Sequence, residues 1–174
     1  MTQSLQYPVG KFAAPTEFDQ NQLREWIRDI ENFPALLSKE VTALSEDDMD
    51  TPYRPGGWSV RQVVHHCADS HMNSFIRYKL ALTEDNPRIK AYFEDRWAEM
   101  SDYLGLPVES SLQILEGLHF RWVSLLKAMT EADFGRTFFH PEKNRSITLY
   151  ETTALYSWHC RHHLGHVKLV AKQA

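Results

Sequence analysis

Four of the nine histidines in the chain fall within eight residues near its C-terminus: His159, His162, His163 and His166, in the stretch WHCRHHLGH that begins at Trp158. On a helix, residues three and four apart share a face and lean the same way. Imidazoles at i and i+4 therefore sit one turn apart and can bind one divalent ion at about 2.0 to 2.1 Å. His159 with His163 has that spacing, and so does His162 with His166; spacing alone does not choose between the pairs. Several imidazoles gathered together without an ion leave ring nitrogens in need of other partners, so the cluster points to a metal site, with a helix that merely carries histidines as the alternative. A third ligand has to come from another element.

The elements that must position it are helical. Apolar residues at helical spacing predict a first helix from Leu23 to Leu44, opened by Asp19 and Gln22 as a capping box and kinked or briefly broken at Pro34. Ser59 and Gln62 cap a second helix, to about Leu82, that carries His65, His66 and His71. Residues 83–110 are polar, contain Pro87 and Pro107, and read as a long crossover connection with one short helix around Asp95 to Tyr103. A third helix, about Ser110 to Met129, has Leu112, Leu115, His119, Trp122 and Leu126 on one face. A loop through Gly135, Pro141 and Asn144 then leads to a fourth helix, capped by Thr148 and Glu151, that bears the histidine cluster. Residues 1–18, with Pro8, Gly10 and Pro15, read as an N-terminal arm lying over the domain. The two halves echo one another: long helix, Ser/Thr-x-x-Asp turn, loop, capped helix with histidines.

This is an all-α pattern, a four-helix bundle in a single domain over 1–174, and 43% hydrophobic residues are enough for its core. In such a bundle, side chains of facing helices converge on the interior, which makes the second helix the natural source of the third ligand. His65 and His66 are adjacent and point about 100° apart, so one of them faces a given ion; the apolar face of Val60, Val63, Val64 and Cys67 favours His66 slightly. A net charge of −4 with no basic patch excludes nucleic acid and an anionic membrane as main partners. The first residues lack a leader's charged and apolar regions, and no stretch is apolar for long enough to cross a bilayer, so a cytoplasmic protein is expected. Cys67 and Cys160 read as small core residues rather than a disulfide or ligands.

The stretch from Asp50 to Asn73, DTPYRPGGWSVRQVVHHCADSHMN, together with the terminal WHCRHHLGH, resembles the YfiT branch of the DinB superfamily. Members of that branch are described as metal-dependent hydrolases, and related proteins as bacillithiol S-transferases. The resemblance covers nearly the whole chain. It implies a DinB-like four-helix bundle, a homodimer, and one divalent ion, zinc or nickel, held by His66, His159 and His163. His65, His71, His119, His162 and His166 would then orient the ligands or serve structural roles.

Three histidines leave at least one position of the ion open, for water or for a thiolate, so the expected chemistry is hydrolysis of a small molecule or transfer of a thiol such as bacillithiol. Cys160 stands where a metalloprotease with the HExxH motif carries its glutamate, which argues against peptidase activity. Asp69, three residues after His66, is a candidate base or orienting group, against a plain surface carboxylate. Arg54 and Arg61 are candidates for an anionic cosubstrate, against solvated surface charge. The competing reading from another class is a non-enzymatic metal-binding or stress-response protein whose ion holds the bundle together.

Overall fold

The structure is a computed structural model and describes residues 5–172. Helix α1 (Gln20–Thr42) starts where Asp19 accepts hydrogen bonds from the Asn21 and Gln22 amides at 2.7 and 3.2 Å. The reciprocal half of the expected capping box is absent: the Asp19 amide donates instead to the Tyr150 hydroxyl at 2.7 Å, which ties the start of the first helix to the start of the last. Leu23, Ile27, Ile30, Phe33, Leu37 and Val41 form its buried face at helical spacing. Of the kink or short break expected at Pro34, the break is absent, and the helix runs through the proline. A proline there removes one i to i−4 bond, so the Ile30 carbonyl needs a donor from elsewhere.

A short helix α2 (Glu46–Met49), capped by Ser45 and Asp48, precedes α3 (Val60–Thr83), where Ser59 and Gln62 form the reciprocal box. Arg61 clamps the two together. Its guanidinium is buried and donates to Asp50 at 2.8 Å, Glu46 at 2.9 Å and the Leu106 carbonyl at 3.2 Å. Arg61 is therefore neither solvated nor free to bind an anion. The long crossover after α3 holds two short helices rather than one, α4 (Glu94–Trp97) and α5 (Ser101–Gly105), before α6 (Glu109–Ala128).

After the capped turn α7 (Glu131–Phe134), the expected loop is a β-hairpin: β1 (Thr137–His140) and β2 (Arg145–Thr148) pair antiparallel, Thr137 opposite Thr148 and His140 opposite Arg145. Each strand has four residues, too few for alternation to declare itself in the sequence, although Phe138, His140 and Ile147 all turn inward. Asn144 closes the turn at φ 49°, a left-handed value that asparagine tolerates. Helix α8 (Leu149–Ala171) follows at once. Thr148 accepts from the Glu151 amide, while the Glu151 carboxylate pairs with Arg145 rather than completing a box.

Helices α1 and α3 each pack against both α6 and α8, so the two pairs sit diagonally across a four-helix bundle. Of the arm expected over 1–18, residues 1–4 lie outside the described residues, and the part around Pro8 to Gly10 touches α8. Trp158 Nε1 donates to the Gly10 carbonyl at 2.9 Å, and Pro8 rests on Gly165, where a Cβ would lie 2.8 Å from the proline ring. That close approach is why a glycine stands inside the histidine stretch. Among the described residues no helix is long and apolar enough to cross a membrane.

Candidate metal centre

The facing sides of α3 and α8 bring His66, His159 and His163 together, with one potential ligand atom from each lying within 4.8 Å of the others. The Nε2 atoms of His66 and His159 are 3.2 Å apart. Two nitrogens bound at about 2.0 to 2.1 Å to one tetrahedral ion are separated by roughly 3.3 Å, so the pair already has the edge length of a tetrahedral site. The ring of His163 closes the triangle, 4.9 Å from His66 and 4.4 Å from His159 between centroids. A second group, His162, His163 and His166, satisfies the same distance limit and shares His163 with the first, so the two groups compete for one residue.

Burial sets the electrostatics. It pushes His66 down to about 4, helped by the neighbouring His166, and His162 down to about 3. His159 and His163 are held well below their ordinary value, by burial first and then by the surrounding imidazoles. The cluster is therefore neutral at pH 7, the protonation state in which imidazole binds a metal. His159 remains partly exposed at the floor of a cleft of about 550 Å³, a volume suited to a small molecule.

The DinB superfamily model matches residues 29–167. The chain belongs to this superfamily. It is 47% identical over 169 residues to a protein of Bacillus licheniformis (97% of this chain, 96% of the relative) and 49% identical over 167 residues to one of Oceanobacillus iheyensis (96% of each); both carry the name "putative metal-dependent hydrolase". Among solved structures, YfiT from Bacillus subtilis, described as a probable metal-dependent hydrolase with an unusual four-helix bundle topology, matches at a TM-score of 0.94 and 43% identity, over 98% of this chain and 97% of YfiT.

The other candidates in this DinB bundle fall into three places. His162 and His166 line the cleft beside the triad: His162 stacks on Trp158 at 4.3 Å, and His166 stacks on Tyr53 at 3.7 Å and donates from Nε2 to the Gln6 carbonyl at 3.1 Å. His71 and His119 lie behind the triad in the core. His65 points away from it, with Nδ1 2.7 Å from the Ser111 hydroxyl and Nε2 donating to the Leu106 carbonyl at 3.2 Å. Asp69 is also turned from the cleft. Its carboxylate accepts from the Tyr103 hydroxyl at 2.6 Å, because α5 packs on that flank of α3, and it is not placed to act as a base on anything in the cleft. Cys67 and Cys160 are buried free thiols.

Two cleft residues escaped the sequence reading. Arg77 is half-buried, its Nε is enclosed without an acceptor, and among the described residues it has no ion pair. It stands eleven residues after His66, about three full turns along the same face of α3, which is the signal that could have found it. His140 is buried with Nδ1 unpartnered, but it sits on the hairpin that the sequence did not announce. Arg54, weighed between an anion-binding role and solvated surface charge, lines the cleft with its own Nε enclosed and unpartnered.

Proposed function

We propose that this DinB protein is a metal-dependent hydrolase of small anionic molecules, with His66, His159 and His163 holding one divalent ion, zinc or nickel. The observation that carries the reading is the convergence of three neutral imidazoles from two facing helices, two of them at a 3.2 Å nitrogen separation, on the floor of an open cleft. Ligands from two helices also favour this group over His162, His163 and His166. In that second group His162 and His163 are sequence neighbours, whose side chains point about 100° apart on a helix.

A divalent ion bound there supplies Lewis acidity, polarising a substrate oxygen and lowering the pKa of whatever water or thiol shares its open position. The chain supplies the rest. Arg54 and Arg77 present guanidinium donors that have no acidic partner among the described residues, and charge-assisted bonds from them would fix a carboxylate or phosphate of the substrate. The acidic cleft residues Glu94, Asp95 and Glu142 are exposed, whereas Arg54 and Arg77 are half-buried. Trp58, its ring centroid 4.7 Å from His66, walls the site and limits water entry.

One observation favours a second reading, transfer of a low-molecular-weight thiol such as bacillithiol. Among the described residues no carboxylate lies buried beside the triad to take a proton from water, and a thiol, with a pKa of about 8 to 9, needs less help to ionise. The test is a panel of chromogenic esters and amides, with and without carboxylate groups, run on zinc-loaded and nickel-loaded protein beside thiols paired with a chromogenic electrophile. Hydrolysis that disappears with chelator and in His66→Ala supports the proposal. Turnover only in the thiol panel assigns the second reading, and turnover indifferent to chelation refutes both.

A further inference from the structure

Behind the triad, four groups stand in line across four helices. The Nδ1 of His159 on α8 is 3.0 Å from Nε2 of His71 on α3. The Nδ1 of His71 is 2.7 Å from Nε2 of His119 on α6, and Nδ1 of His119 is 2.6 Å from the Ile30 carbonyl oxygen on α1. The last member fixes the direction of the rest. A carbonyl oxygen can only accept, so the ring nitrogen facing it carries the proton. His119 is then an Nδ1–H tautomer whose Nε2 is a bare acceptor. His71 must donate to that acceptor from Nδ1, which leaves its own Nε2 bare, and His159 in turn donates from Nδ1. The nitrogen left without a proton is Nε2 of His159, the atom 3.2 Å from Nε2 of His66.

We infer that His71 and His119 are positioning residues that, anchored on the Ile30 carbonyl, lock His159 as the Nδ1–H tautomer with its Nε2 lone pair facing the metal position. The inference rests on His159 being a ligand, as proposed above. It also gives Pro34 a purpose. Proline at 34 has no amide hydrogen to give to the carbonyl four residues earlier, and that carbonyl is the one that accepts from His119. The missing helical bond and the anchored imidazole are two sides of one arrangement.

Burial supports the assignment, because a chain of this kind has a direction only while its members are neutral. His71 and His119 are respectively 0% and 2% exposed, and burial holds both imidazoles neutral at pH 7. The chain also ends inside the protein. A backbone carbonyl cannot pass a proton onward, so the device orients a ligand and does not conduct protons to solvent. A shorter parallel exists on a second ligand: His166 Nε2–H donates to the Gln6 carbonyl, leaving Nδ1 bare 3.4 Å from Nδ1 of His163, which places the proton of His163 on Nδ1 and frees its Nε2.

Two measurements test this. Long-range ¹H–¹⁵N spectra of the metal-free wild-type protein at pH 7.5 are expected to show His71, His119 and His159 all protonated at Nδ1. An Nε2–H tautomer at His71 or His159 overturns the inference whatever the metal does. Competition titrations with zinc are expected to show affinity reduced roughly 10- to 100-fold in His119→Leu and mostly restored in His119→Gln, whose amide can both accept from His71 and donate to Ile30. Wild-type affinity in a folded His119→Leu, or no rescue by glutamine, refutes it. If His119→Leu does not fold, the wild-type spectra decide. If the wild type binds no zinc while the tautomers are as stated, the ligand reading fails and the locked chain stands.

Discussion

The nine histidines make the fold sensitive to acid in a predictable window, and His119 is the best place to measure it. It is 2% exposed, bonded on both ring nitrogens, and pushed down to about 4 by burial, with the Ile30 carbonyl pulling the other way. In the unfolded chain it titrates near 6.5. Between those values the unfolded state takes up a proton that the folded state refuses, so stability is full above about pH 6.5, falls as the pH drops, and levels off below about pH 4. Integrated from pH 7.5 to 5.0, this one group removes about 2 kcal/mol. At a urea slope of about 2 kcal/mol per molar, the unfolding midpoint moves down by about 1 M from His119 alone, and further from its buried neighbours. The assay is urea unfolding of chelator-treated protein at both pH values, for wild type and His119→Gln. The glutamine keeps both hydrogen bonds but cannot titrate, so its loss between pH 7.5 and 5.0 should be smaller than the wild-type loss by about 2 kcal/mol. Equal losses in the two proteins would refute the reasoning.

Two further outcomes follow from the same geometry. Gly165→Ala should destabilise the protein by about 1 kcal/mol in urea unfolding even though alanine is the better helix former by about that amount, because its Cβ meets the Pro8 ring and lifts the arm from α8; a net gain in stability would mean that the arm is not seated there. Arg77→Gln should raise KM for carboxylate-bearing substrates in the panel about tenfold or more with kcat little changed, and leave neutral substrates unaffected; equal effects on both classes would remove Arg77 from substrate binding.

The helices were legible because their evidence is local. Ser59 with Gln62, Ser45 with Asp48 and Thr130 with Asp133 form reciprocal caps, and apolar spacing along α1, α3, α6 and α8 gives their buried faces. Asp19 and Thr148 were legible only as caps: Tyr150, 131 residues from Asp19, and Arg145, across the unannounced strand from Glu151, claim the groups that would have completed the boxes. Of the kink or break expected at Pro34 the break did not occur, and a side chain 89 residues away takes up the freed carbonyl. The hairpin was hidden by its brevity. In the site, i and i+4 spacing found the histidines of α8 but could not rank the pairs, because ranking depends on what α3 presents across the bundle. Asp69 and Arg61 failed as site candidates for the same reason, each being claimed by a neighbour from another element, Tyr103 for one and Glu46 with Asp50 for the other. The row of His159, His71, His119 and Ile30 draws on all four helices, and no single segment contains its register.

The central claim is that His66, His159 and His163 hold one ion. It is tested most directly by metal content per chain, from elemental analysis of wild type, His163→Ala and His162→Ala purified without a metal-binding tag. The proposed site predicts close to one equivalent of zinc or nickel in wild type and in His162→Ala, and almost none in His163→Ala. Because His163 belongs to both candidate groups while His162 belongs to one, loss in His162→Ala would move the ion to the second group. Retention in His163→Ala, or no metal in wild type, would contradict the account.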